Sequence, residues 1–411
     1  MLQEYFDSSK RLQTLRDSPL GAATERFVKE LADARYARRT IRGYIWSVEH
    51  FVHWVNRRGV PISSVNEVSV LHFGQHLRHC RCGRRRRSHA VEQVHCARMF
   101  LDFLRRTNLV PAATVESEVP VLLRGFCRWM GQQRGTCSRT LENYRLPIAD
   151  LLKLHGENPV RFDARSLRQF VLLRRQRGEG AARNCATALR AFLQFLSAEG
   201  RCSRDLVAAI PTIAHWRLAA LPRYLQPEDV ERVITACNVP SPAGRRNRSI
   251  LLLLSRLGLR AGDVAQLRLA DINWQDAWIQ VCGKSRRQLR LPLSQELGDA
   301  LAAYIRFDRP DTAVAEVFVR ADAPFRALSH NTISVIVDRI FRRAGIIRPS
   351  RGAAHLLRHS FATSLLRQGV ALQDIADVLR HRSVTTTEIY AKVDVTALQQ
   401  IAQPWPEASS C

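Results

Sequence analysis

Residues 379–390 read Leu379-Arg380-His381-Arg382-Ser383-Val384-Thr385-Thr386-Thr387-Glu388-Ile389-Tyr390. A tyrosine closes the stretch, and His381 precedes it by nine residues (390 − 381). A phenol with a pKa near 10 is a weak nucleophile unless a base or cations stand beside it. Groups of that kind lie upstream in three short motifs. Gly258-Leu259-Arg260-Ala261-Gly262-Asp263 supplies Arg260, and Gly283-Lys284-Ser285-Arg286-Arg287 supplies Lys284. His355-Leu356-Leu357-Arg358-His359-Ser360-Phe361-Ala362-Thr363 supplies His355 and Arg358. Attack on a phosphodiester needs fixed cations for the non-bridging oxygens, a base for the nucleophile and an acid for the leaving oxygen. Lysine suits the acid, because its pKa falls near other charges whereas arginine never deprotonates. The sequence has no clustered carboxylates of the kind that hold two catalytic metals.

The order and spacing of these motifs resemble the tyrosine recombinase (phage integrase) family. The resemblance implies that Arg260 and Arg358 clamp the phosphate, with Asp263 orienting the Arg260 guanidinium. The family more often has Glu at position 263. His355 would take the tyrosine proton. Lys284 would protonate the leaving 5′-oxygen, with Arg286 or Arg287 able to share that task if the turn register shifts. His381 would hydrogen-bond the phosphate, and Arg380 stands where the family usually has Gly. Tyr390 would attack phosphorus, giving a 3′-phosphotyrosine and a free 5′-hydroxyl. His359 would support the site or pack. The implied partner is double-stranded DNA, bound by a homo- or hetero-tetramer on paired sites, with partner recombinases as an option. No cofactor and no metal are expected. Two other readings stay open: a catalytically silent DNA-binding or assembly protein of the same fold, and a type IB topoisomerase.

The composition agrees with a nucleic-acid partner. The chain has 411 residues, 46% hydrophobic, with a formal net charge of +26. It is long enough for two or three domains and apolar enough to bury cores, so disorder does not account for the charge. A folded polycation of this size points to a polyanion; a ribosomal or anionic-membrane surface would suit the charge as well. Only five of the 63 basic residues are lysine, namely Lys10, Lys29, Lys153, Lys284 and Lys392. Arginine favours bidentate phosphate contacts, and GC-rich genomes favour arginine too. Ten scattered cysteines, no signal peptide at Met1–Asp7 and a longest central apolar run of only Ile250–Leu254 predict a cytoplasmic, nucleoid-associated chain with no membrane span.

The expected fold is mainly α with a small antiparallel β-sheet: two helical N-terminal domains followed by an α-rich catalytic domain. Arg39-Thr40-Ile41-Arg42-Gly43-Tyr44 matches Arg139-Thr140-Leu141-Glu142-Asn143-Tyr144. Further on, Met99–Leu104 matches Ala191–Leu196, in the same order. The division that follows is 1–115, 116–208 and 225–403, with the last two joined by a proline-punctuated linker. Each N-terminal unit resembles a core-binding domain, of which the family usually has one. Trp278–Val281 and Gln288–Leu293 alternate apolar residues around the Lys284 turn, which predicts a β-hairpin. Val395–Ile401 can form a short helix, docked on a neighbouring subunit or on its own domain. His79-Cys80-Arg81-Cys82 and His95-Cys96 lack zinc-ribbon or zinc-finger spacing, so Arg84–Arg87 beside them is read as a DNA-backbone contact or a solvated connection.

Overall fold

The computed structural model describes residues 2–5, 8–80, 90–112, 120–214, 223–237, 241–282, 288–347, 352–380 and 387–391. By contact density the chain forms two compact units, one made of 1–110 with 218–411 and the other of 111–217. Among the described residues the fold is mostly helical with one small antiparallel sheet.

The first stretch carries α1 (Ser9–Arg16), α2 (Gly21–Asp33), α3 (Arg38–Arg57), α4 (Glu67–His79) and α5 (Ala90–Arg106). Their apolar faces share a core in which Phe51, Phe73 and Phe100 are fully buried. Helix α4 starts where Asn66 accepts from the backbone N–H of Val68 and Ser69, a capping box that satisfies orphan donors of the first turn.

The 111–217 unit carries α6 (Val121–Arg134), α7 (Ser138–His155), α8 (Ala164–Leu173), α9 (Glu179–Ala198) and α10 (Asp205–Ala208). Its own core centres on Phe126, Leu151 and Phe192. The two halves of the sequence repeat occupy equivalent places. Thr40 and Ile41 both donate to the Ala37 carbonyl at the start of α3, and Thr140 and Leu141 both donate to the Cys137 carbonyl at the start of α7. The second element of the repeat lies on α5 in one unit and on α9 in the other, and α3 packs on α5 as α7 packs on α9.

The C-terminal stretch carries α11 (Pro227–Thr235), α12 (Pro242–Arg256) and α13 (Ala261–Gln266). Strands β1 (Ile272–Asn273), β2 (Trp278–Cys282) and β3 (Gln288–Pro292) follow. The chain then continues through α14 (Gln295–Ala303), α15 (His330–Arg343), α16 (Ala353–Arg367), α17 (Leu372–Val378) and α18 (Glu388–Ala391). Helix α12 is capped by Ser241 with Pro242 in its first turn, and every residue from Ile250 to Leu254 is fully buried. A helix that is apolar on all sides belongs in the middle of a core, and here it packs against α14 and α16. The order β1-β2-β3 is antiparallel throughout, with Ile279 opposite Leu291 and Gln280 opposite Arg290. Alternation keeps Ile279, Val281 and Leu291 in the core. The expected hairpin is therefore present with a third, two-residue strand beside it, while its turn, Lys284 included, lies outside the described residues.

Candidate active site

Helix α16 organises the site. Its spacing puts His355, Arg358 and His359 at i, i+3 and i+4, on one face and one turn apart. Arg358 is 3% exposed and donates from Nη1 to the Gly258 carbonyl and from Nη2 to the Leu379 carbonyl. The two acceptors are 121 residues apart in sequence (379 − 258), so one guanidinium ties the Arg260 motif to the Tyr390 motif. Gly258 has φ +57, and a Cβ there would lie 2.5 Å from Phe361 Cδ1 and 3.0 Å from Leu379 Cδ2. Only glycine fits that combination of left-handed backbone and close approach.

Arg260 sits at the N-cap of α13 in extended conformation and is half-buried. Asp263 was expected to orient the Arg260 guanidinium. Its Oδ2 accepts from the Arg260 backbone N–H at 3.0 Å and pairs with the Arg380 guanidinium, and its charge also acts on the Arg260 guanidinium. The carboxylate thus fixes the first turn of α13 and a cation from the far motif. Arg380 has φ +55, which accounts for glycine as the more familiar residue at such a turn. Its side chain is 7% exposed, and Nε and Nη1 are buried with no hydrogen-bond partner among the described residues.

Tyr390 is 1% exposed on the short α18. Its hydroxyl lies 2.8 Å from His359 Nδ1. The phenol donates when the neutral ring carries its proton on Nε2. His355 was expected to receive this proton, but the imidazole recorded against the phenol is His359. The sequence carried a usable signal for it, since His359 follows Arg358 directly and stands one turn from His355. His355 itself is exposed, with its ring 6.2 Å from that of His359. His381 lies outside the described residues, as do Lys284 and the 395–401 segment.

The electrostatics follow from burial and from an excess of cations. Burial pushes the Tyr390 phenol up to about 12, against the pull of Arg358 and Arg260. Burial, then His355 and Arg358, bring His359 down to about 4. His355 is lowered by its crowded surroundings and by Arg358 and Arg260. Both rings are therefore neutral near pH 7, with a lone pair available. Arg358 falls to about 9, chiefly through burial and then through Arg260, and remains charged. Arg260 and Arg380 act on Arg358 as cations, against Asp263 as the single carboxylate among the causes of its shift. Three guanidinium groups against one carboxylate leave a buried net positive charge, which an anion would neutralise.

Residues 223–396 match the model of the phage integrase family. A putative integrase/recombinase of Sinorhizobium fredii, y4rA, is 34% identical over 391 residues, covering 92% of this chain and 93% of the relative. The chain belongs to the phage integrase family of tyrosine recombinases. Its relatives in this family include the tyrosine recombinase XerD of Listeria monocytogenes, 26% identical over 291 residues and covering 68% of this chain and 96% of that protein. Solved structures share the fold. The XerH recombinase in a post-cleavage complex with a palindromic difH substrate aligns with a TM-score of 0.55 at 20% identity, over 82% of this chain and 96% of that one. A lambda integrase dimer bound to a core site aligns with a TM-score of 0.53 at 17% identity, over 70% and 98% respectively. This recombinase is thus a DNA strand-exchange enzyme. Among the described residues, no helix is long and apolar enough to cross a membrane.

Proposed function

We propose that the chain is a site-specific recombinase that cuts and rejoins duplex DNA through a 3′-phosphotyrosine at Tyr390. The observation that carries this is the buried tyrosine, hydrogen-bonded to His359 and within electrostatic reach of the guanidinium groups of Arg260 and Arg358. Arg260 and Arg358 hold the non-bridging oxygens of the scissile phosphate. As the bond from Tyr390 Oη to phosphorus forms, the bond from phosphorus to the 5′-oxygen breaks. The phenol proton passes to a neutral imidazole. His359 holds the hydroxyl before DNA binds, and His355 receives the proton when α18 delivers the tyrosine to the phosphate. Lys284 protonates the departing 5′-oxygen, and His381 hydrogen-bonds the phosphate. Free 5′-hydroxyl attack on the phosphotyrosine reverses the bond changes, so the phosphodiester energy is conserved and no nucleotide cofactor is required.

The parts proposed are 1–115 and 116–208 as helical DNA-gripping domains and 225–403 as the catalytic domain. Two or four copies act on paired sites, alone or with partner recombinases, in integration, excision or resolution of a mobile element. Support comes from the basic charge, from the repeated helical units and from relatives described as integrase/recombinases.

A nicked suicide duplex drawn from DNA flanking the gene tests the proposal. Wild type should form a covalent protein–DNA band and Tyr390→Phe should not. A band that persists in Tyr390→Phe removes the nucleophile assignment. Absence of a band from wild type on all flanking DNA would favour a binding-only role. Lys284→Ala should slow cleavage, and a 5′-phosphorothiolate leaving group, which needs no proton, should restore it.

A further inference from the structure

The 1–110 stretch contains a second cluster of chemically able side chains that strand exchange does not use. His50 lies in the middle of α3, and His76 in the last turn of α4. Cys80 is the residue that ends α4, four positions after His76. Imidazole nitrogens of the two histidines and the Cys80 sulfur all lie within 4.8 Å of one another. His50 Nε2 and Cys80 Sγ are 3.4 Å apart. The His50 and His76 rings meet edge-on, with centroids 5.5 Å apart and planes at 72°.

A tetrahedral zinc site with Zn–N of about 2.0–2.1 Å and Zn–S of about 2.3 Å spaces its ligand atoms by about 3.3–3.8 Å. The His50–Cys80 distance already matches, and no pair needs to close by more than about 1.5 Å. The His76–Cys80 spacing of one helical turn directs both donors to the same side of α4. The other nitrogen of His50 is engaged as a metal ligand requires: Nδ1 is 2.9 Å from Gln93 Oε1 on α5. If Nδ1–H donates to that carbonyl, Nε2 keeps its lone pair and faces Cys80, the outer-shell arrangement that orients metal-bound histidines. His50, Cys80 and Gln93 are 1%, 4% and 3% exposed and His76 is half-buried, with the His50 ring edge-on to Phe73. Nitrogen and sulfur donors without a carboxylate select zinc over calcium or magnesium.

We propose that His50, His76 and Cys80 bind a zinc ion that staples α3 to the end of α4. Among the described residues three donors are present, so one tetrahedral position remains to be filled. Neither His79, which is exposed, nor the His95-Cys96 pair belongs to the cluster. The cysteine-rich stretch at 79–82 thus contributes a single described ligand, and the decisive partner, His50, lies 30 residues earlier in sequence.

The test uses the full-length chain purified without chelator. Elemental analysis should find one zinc ion per chain. After chelation, Co²⁺ should restore a near-ultraviolet thiolate-to-cobalt band and the visible bands of a tetrahedral ion. Cys80→Ser should lose the near-ultraviolet band. Gln93→Ala, which leaves all three ligands in place, should weaken Zn²⁺ binding by about 10–100-fold. It also keeps the test alive if Cys80→Ser does not fold. Wild type that carries no zinc, gives no cobalt absorption and melts at the same temperature with and without Zn²⁺ would overturn the proposal and leave a hydrogen-bonded packing cluster.

Discussion

Among the described residues, the histidines of α16 and those around His50 form two clusters, and the groups around them make them opposites. At Tyr390 the charges that act on the phenol are those of cationic N–H donors, the guanidinium groups of Arg358 and Arg260, with Arg380 acting in turn on Arg358. At His50 the converging atoms are lone-pair carriers, two imidazole nitrogens and a sulfur, backed by an amide carbonyl. The first environment is short of negative charge and the second is short of positive charge at its centre. The same residue type can therefore serve a phosphate in one place and a cation in another, with the neighbours deciding which.

Four measurements would break or sharpen that contrast. The largest effect is expected from Tyr390→Phe, which should lower strand cleavage by more than about a thousandfold while the chain stays folded. Removing a buried hydroxyl that His359 accepts from should cost only about 1–3 kcal/mol. Arg358 comes next. Arg358→Ala should lower cleavage by about 10²–10³, and Arg358→Lys should not rescue it, because one ammonium cannot reach the Gly258 and Leu379 carbonyls as a planar fork does. Equal activity in Arg358→Lys would mean that the fork geometry is immaterial.

A third measurement separates the two histidines of α16. His355→Ala should lower cleavage by about 10²-fold. His359→Asn should act more on stability and on its pH dependence. His359 falls from 6.5 to about 4 in the folded chain, so the unfolded chain binds more protons between those values. Stability is therefore present above pH 6.5 and lost as pH falls toward 4. Thermal melts should show that loss in wild type and a shallower one in His359→Asn; identical slopes would remove the proton linkage. The smallest effect is expected from Arg380→Gly. Glycine relieves a left-handed backbone by about 1–2 kcal/mol, and the ion pair with Asp263 is lost. The net stability change should be about 1 kcal/mol or less, while cleavage falls by about tenfold. An unchanged rate would assign Arg380 to the turn alone.

The legibility of the chain varied with the kind of contact involved. The hairpin was readable because alternation over Trp278–Val281 and Gln288–Leu293 is local, whereas β1 is two residues long and has no period to detect. The central helix was visible only as the apolar run Ile250–Leu254. Arg260, Arg358 and Tyr390 were found by motif spacing, and the structure brings them within electrostatic reach. The Asp263–Arg380 pair was missed because its partners are 117 residues apart. His359 was visible but ranked behind His355, since spacing places both on one face and cannot say which one turns to the phenol. His50 had no local signal at all, being one of two histidines, with His53, in an amphipathic helix.

Gly258 has a consequence for how such a gene decays. It carries no reactive group, yet its carbonyl receives Arg358 and its missing side chain makes room for Phe361 and Leu379. Replacement by any larger residue would displace the strut between the first and last motifs. Every reactive side chain would remain in the sequence. A descendant inactivated this way would still look intact to any inspection that counts only reactive residues, and the glycine would be the place to look for the lesion.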